Sequence, residues 1–372
     1  MHTNSMNLAV LGACCVCPCW CVATEEKGLQ MVQVGLLMTD IPTSVSPEQQ
    51  FTDIRRVLDA AVEAGFTYIS FGQHFLYGDL SYMQPVPLLA RLAAHVGPDI
   101  KLVTSVIIAP VYHPVMLAEE IATLDVVTEG RLIFGVGIGY RPDELEYFEI
   151  PFTERGARTD ESLTIMKKLW TEDEVTYEGR FWKLDHVRPH LKPVQKPHTP
   201  IWVGGHSLAG ARRAGRFGDA FTVPPETTVE ETRERFALVQ AGFAARGMPF
   251  GPQPFRRNVF VADTHEAAVE GYARLAQKRL ITYTERGLGV MDGAELRDNF
   301  EAAVSSHAVL GTPDEVIAKL VDLVTTLPID PLLMRPQWPT MSPDEAIATM
   351  KQLGREILPA INAVTPAAPV PA

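Results

Sequence analysis

A histidine, a serine and two groups of glycines carry the chemical potential of this chain. His74 follows the apolar run Phe66–Phe71 (FTYISF) and the pair Gly72–Gln73. Its imidazole titrates near neutrality, so it can act as a general acid or base, or donate to a ring nitrogen or carbonyl. Gly204, Gly205, His206 and Ser207 follow a second apolar run, IWV, and lead into residues at helical spacing. Glycines before a helix, with Ser207 as its cap, turn backbone N–H groups outward at the positive end of the helix dipole, which suits a phosphate. A third stretch, RLIFGVGIGY (Arg131–Tyr140), runs from an apolar strand into Gly135, Gly137 and Gly139. Glycines there let a ligand lie against the backbone.

Two familiar phosphate motifs are missing. A dinucleotide fingerprint would need a further glycine at position 140 or 142, which hold Tyr140 and Pro142, and no GxxxxGK[ST] loop occurs. GHSLAG comes close to the nucleophile elbow GxSxG, but Ala209 stands where the second glycine belongs. A serine hydrolase would also have to draw its base from His265 or His307, which fall on or beside helices; activity-linked fluorophosphonate labelling of Ser207 would rescue that reading. Thr104 and Ser105 are polar in an otherwise apolar run (Lys101–Ile108), so their hydroxyls need barrel backbone or a ligand as partner. His113, directly before the helix-opening Pro114, reads as a structural turn residue.

The elements that position these residues repeat one grammar. Strands are expected from Met31, at Phe66–Phe71, Lys101–Ile108, Arg131–Tyr140, Ile201–Val203, Asp219–Val223, Arg257–Ala262 and Pro331–Arg335. Helices alternate with them. Ser46–Pro47–Gln49, Thr312–Pro313–Glu315 and Ser342–Pro343–Glu345 each read as a cap, a first-turn proline and a capping-box partner. Eight strand–helix units predict an α/β fold, a (β/α)8 TIM barrel with insertions, whose active site lies at the carboxyl ends of the strands. Thr171–Pro200 is the main insertion, expected as a hairpin, and Thr282–Asn299 reads as a polar loop. By position past the first and last strands, Met38, Gln337 and Trp338 are expected to line the substrate space.

Bulk composition narrows the partners. The 372 residues hold 45 acidic and 33 basic side chains, a formal charge of −12, which would repel a phosphate backbone and argues against nucleic acid. No run reaches the roughly 20 apolar residues of a membrane span. All five cysteines (Cys14, Cys15, Cys17, Cys19, Cys21) crowd the N-terminal segment. LGAC at Leu11–Cys14 looks like a lipoprotein cleavage box, but its apolar run is short and no Lys or Arg precedes it. Residues 1–30 therefore read as an extension outside the fold, 31–361 as the barrel domain, and 362–372 as a disordered Pro/Ala tail. A cysteine-free body suits a cytoplasmic setting, and no metal site is expected.

Three segments carry a resemblance: HPVMLAEEIATLDVVTEGRLIFGVGIGY (His113–Tyr140), ERGARTDESL (Glu154–Leu163) and PIWVGGHSLAGARRAGRFGDAF (Pro200–Phe221). Together they resemble the bacterial luciferase-like superfamily of flavin- and deazaflavin-dependent oxidoreductases, over about Met31 to Ile361. The resemblance implies that His74 meets flavin or substrate as acid or base. It implies a non-proline cis peptide at Ser105–Val106, with Thr104 in the same cofactor-binding segment. Gly137, Gly139 and Tyr140 would lie beneath the cofactor tail, and Gly204, Gly205, His206 and Ser207 on its phosphate side. Ile138 stands where the luciferase itself has an arginine reaching the flavin phosphate, leaving that job to loop N–H groups and Ser207.

The function so implied is a monooxygenase that uses reduced FMN and O2 on a small organic substrate, the FMN being reduced by a separate NAD(P)H-dependent flavin reductase. A homo-oligomer is expected. One alternative keeps the fold but transfers hydride with the deazaflavin coenzyme. Another, of a different class, is a non-catalytic flavin-binding protein.

Overall fold

The computed structural model describes residues 31–369, apart from 39–40, 43, 79 and 285–291; the cysteine-rich segment lies outside the described residues. Eight parallel strands run Val34–Met38, Tyr68–Phe71, Lys101–Thr104, Leu132–Gly137, Ile201–Gly204, Ala220–Thr222, Gln253–Val261 and Ile329–Arg335. Their order in the sheet is sixth, fifth, fourth, third, second, first, eighth, seventh. A parallel bridge between Val223 and Phe255 joins the sixth strand's end to the seventh, so the staves form the expected barrel.

The strands are buried on both faces, which is why they read as continuous apolar runs. Inside this wall Gly135 of the fourth strand meets Thr104 of the third: the Thr104 hydroxyl accepts the Gly135 N–H and donates to its C=O, each at 2.8 Å. A Cβ on Gly135 would sit 1.8 Å from Thr104 O, so no larger residue fits. This exchange satisfies the buried hydroxyl from barrel backbone.

Helix starts follow the letters with one difference. The Thr312–Glu315 and Ser342–Glu345 capping boxes close, as does one at Thr228–Glu231. Ser46 caps the first helix, Pro47–Ala64, by accepting from Gln49 N–H, but the Gln49 amide turns forward to Asp53 instead of closing the box. Gly65 then ends that helix at φ 104°. His113 is the helix cap, its Nδ1 accepting from Val115 N–H.

Four further features depart from the sequence expectation. The seventh strand begins at Gln253 rather than Arg257, because Arg256 and Arg257 break the apolar pattern midway. A ninth parallel strand, Ala308–Gly311, pairs with the seventh from Asn258 to Val261; four residues are too few for periodicity to show. Within Thr282–Asn299 a helix, Gly293–Asp298, replaces part of the expected loop, and 285–291 lie outside the described residues. The tail is corrected as far as residue 369. Val364 O accepts from Val32 N–H, and Ala367 N–H donates to Val324 O, so backbone bonds hold a segment whose composition points to disorder.

The insertion is a hairpin, Val175–Glu178 and Lys183–Val187. Its tip is held by Glu161, on the helix Arg155–Thr171, whose carboxylate accepts the N–H groups of Arg180, Phe181 and Trp182 at 3.0–3.2 Å. Gly179 makes room for that carboxylate, since a Cβ there would lie 2.0 Å from Oε1. No described helix is long and apolar enough to cross a membrane.

Candidate active site

At the carboxyl ends of the staves lies a cavity of about 430 Å3. It reaches Met38, His74, Ser105, Val106, Gly137, Gly139 and Tyr140, and also Gly204, Gly205, His206 and Ser207. These residues come from the first five strands and the loops that leave them. Thr104 does not line it, being occupied in the wall with Gly135. Trp338 is corrected too. It is fully buried, edge-on to Tyr272 at 5.2 Å in a separate apolar cluster, because the bulky ring gains more from that packing than from the mouth. Gln337, buried beside it, donates to Trp338 O and does not line the cavity.

The floor is built by close approach. The Ser105–Val106 peptide is cis, and the Val106 side chain presses on the glycines of the neighbouring strands. A Cβ on Gly137 would sit 2.7 Å from Val106 Cγ2, and one on Gly204 3.2 Å from Val106 Cγ1. Glycine at these places leaves a smooth apolar shelf. Gly139, at φ 73°, needs the left-handed conformation that glycine adopts freely.

His74 stands at one side of the shelf. Its Nδ1 lies 3.1 and 3.2 Å from the two carboxylate oxygens of Glu144, which also accepts the Phe75 N–H at 2.7 Å. Glu144 is buried, and the Arg141 guanidinium lies 3.8 Å from its Oε1. A carboxylate on Nδ1 fixes the proton there, leaving Nε2 as the other working nitrogen. The rings of Tyr77, Tyr82 and Tyr140 pack around the imidazole with centroids 4.9–5.5 Å away. Sequence reading missed Glu144. Its signal was its place in the helix Pro142–Glu146, just past the glycines.

The other side is basic. Ser207 Oγ caps the helix Leu208–Phe217, accepting from Gly210 N–H at 3.2 Å, and shows the role of a helix cap rather than of a nucleophile. Arg213 from that helix and Arg155 from the start of the helix Arg155–Thr171 both reach the cavity. Asp160 holds the Arg213 guanidinium, while Arg155 stacks on Phe152 at 3.5 Å and donates to Phe152 O. Burial, and then Arg213, pull the Arg155 pKa below its usual value. Sequence reading left anion binding to loop N–H groups and Ser207. The structure adds two cations, and Arg155 lay within the quoted ERGARTDESL segment.

His206 is half-buried at the cavity wall, and burial lowers its pKa to about 4, with Glu226 opposing and Arg256 and Arg235 reinforcing the shift. It is therefore a neutral imidazole at pH 7, with a buried Nδ1 that has no partner among the described residues. Those residues contain no cluster of three His, Cys, Asp or Glu that could hold a metal.

Residues 32–329 match the sequence profile of the luciferase-like monooxygenase family. The chain belongs to that family. Among solved structures, this luciferase-like chain is similar to the monooxygenase RslO1 of Streptomyces bottropensis, with 27% identity and a TM-score of 0.75 over 88% of this chain and 99% of that one. It is 27% identical over 254 residues to an FMNH(2)-dependent dimethylsulfone monooxygenase of Pseudomonas putida, covering 66% of this chain and 68% of the relative. It is 31% identical over 227 residues to an F420-dependent glucose-6-phosphate dehydrogenase of Microbacterium testaceum, covering 57% and 66%. All three relatives are oxidoreductases, and the last two are named for a reduced flavin and a deazaflavin, so a cofactor of that kind is supported.

Proposed function

We propose that this luciferase-like protein is a monooxygenase that uses reduced FMN and O2 on a small organic substrate, with the FMN reduced by a separate NAD(P)H-dependent flavin reductase. The observation that carries this reading is that one cavity joins His74 to an anion seat formed by Ser207, Arg155 and Arg213. The residues fit the cofactor. A volume of about 430 Å3 lies within the roughly 300–1,000 Å3 of small-molecule sites, Gly137 and Gly204 add no side chain to the shelf beside Val106, and the two cations suit a phosphate.

When bound, a reduced flavin supplies the electrons that activate oxygen. The chain supplies position, dryness and a proton site. Glu144 keeps the His74 Nδ1–H oriented, so Nε2 can take or return a proton at the cavity face. The tyrosines around it exclude water from the imidazole. Ser105 and Val106 form the shelf; Gly137, Gly139 and Tyr140 would hold the cofactor tail, and Gly204, Gly205, His206 and Ser207 its phosphate side. Met38 borders the substrate space.

A second reading, hydride transfer with the deazaflavin coenzyme, is favoured by the 31% identity to the F420-dependent dehydrogenase. Fluorescence titration of the apoprotein with reduced FMN and with F420, followed by oxygen uptake, separates the two. Tighter binding of reduced FMN with protein-dependent oxygen uptake supports the monooxygenase. Tighter F420 binding without uptake overturns it.

A further inference from the structure

Beyond the cofactor seat, the cavity has a second basic wall that no part of the proposed reaction uses. It comes from the late staves: Arg256 of the seventh strand, Arg335 at the end of the eighth, and Arg279 from the helix His265–Tyr283. Glu226, past the sixth strand, is the one acidic side chain among the described residues that line the cavity. Arg335, Arg279 and Glu226 are all more than nine-tenths buried.

Two of these cations, Arg335 and Arg256, are poorly compensated by the described residues. Among the described residues the Arg335 guanidinium has neither a hydrogen bond nor an ion pair; its Nε is buried without a partner, and it stacks on Trp338 at 5.5 Å. The Arg256 guanidinium has a single hydrogen bond among them, a long one of 3.3 Å from Nε to Val223 O. Desolvation lowers the Arg256 pKa to about 10, with Glu226 opposing and Arg335 adding repulsion. Burying like charges side by side costs several kcal/mol unless an opposite charge meets them. Arg257, one residue on, shows the contrast: its guanidinium is spent on the carbonyls of Pro225 and Thr227.

We propose that Arg335 and Arg256, flanked by Arg279, bind an oxyanion carried by the substrate, a carboxylate or a phosphate-type group. Guanidinium forks match such anions with paired hydrogen bonds. Glu226 tempers the wall and disfavours a second negative charge. This deepens the functional reading above, and depends on it only in assigning the anion to substrate rather than to cofactor.

The test measures binding of inorganic phosphate and of acetate, by calorimetry, to the full-length protein saturated with oxidised FMN. In the FMN-loaded wild type, at least one of the two anions is expected to bind. Arg335→Met should weaken that binding by about tenfold or more, the loss of a charge-assisted hydrogen bond, and leave FMN affinity unchanged. Glu226→Gln should tighten it, a gain that misfolding does not mimic. Unaltered anion binding in both variants would overturn the proposal, and so would a loss of FMN affinity in Arg335→Met, because the wall would then belong to the cofactor. If FMN fails to bind the wild type, the cofactor reading falls; the same anion titrations on the apoprotein still decide whether the late-stave wall is an anion site.

Discussion

Nδ1 of His74 lies 3.1 Å from Oε1 of Glu144, and the same carboxylate takes the N–H of Phe75. One buried acid therefore orients the imidazole and anchors the loop that carries it. Replacing His74 with Ala is expected to lower kcat by about 10²–10⁴-fold, the usual worth of a positioned acid–base group, with little change in FMN affinity. Single-turnover kinetics with reduced FMN measures this. Turnover that survives unchanged would remove His74 from the chemistry.

Glu144→Gln separates positioning from proton transfer. The amide can donate to Nδ1 and so stabilise the wrong tautomer, whereas Glu144→Asp keeps the charge. The glutamine variant should lose kcat and shift the pH profile, and the aspartate variant should recover part of both. Equal losses in the two variants would point to loop packing alone.

Arg155 and Arg213 make a prediction that needs no turnover. Arg213→Ala should weaken FMN by about tenfold or more, through lost charge-assisted contact with its phosphate, while riboflavin, which has none, binds as before. Fluorescence titration of the two flavins reads the difference. A parallel loss for riboflavin would place this arginine away from the phosphate.

The wall and the shelf each predict a glycine variant, of different kind. Gly135→Ala drives a Cβ into Thr104 O at 1.8 Å, where neither backbone can yield. It should cost about 1–3 kcal/mol or more and lower Tm. Gly137→Ala meets only Val106 Cγ2, at 2.7 Å, so the shelf should shift and flavin affinity should fall more than stability does.

His206 links the fold to pH. Its folded pKa of about 4 lies below the unfolded 6.5, so between these values the unfolded chain binds the extra proton. Stability from this group is present above pH 6.5 and is lost as pH falls toward 4, by an amount on the order of a few kcal/mol. Denaturant unfolding across that window should show the slope, and His206→Gln should flatten it.

The barrel was legible because caps, prolines and buried apolar runs are local signals. Ser342–Pro343–Glu345 announces a helix without reference to the rest of the chain. His74 and the two glycine loops were legible because each follows a strand. Glu144, Arg155, Arg256 and Arg335 were not, since a charged residue in a sequence looks the same whether it faces solvent or a cavity. Trp338 misled for the converse reason: an aromatic past a strand reads as a mouth residue, and only three-dimensional packing turns it toward Tyr272.

The hairpin excursion from the barrel repeat bears on affinity at a distance. Glu161 grips its tip from the helix that opens with Arg155, and Asp160 of the same helix holds Arg213. That helix is thus braced from two directions, with a strut on one flank and a guanidinium tether on the other. Trimming the excursion, or placing alanine at Gly179, would slacken the brace and be felt as a looser grip on phosphorylated ligands.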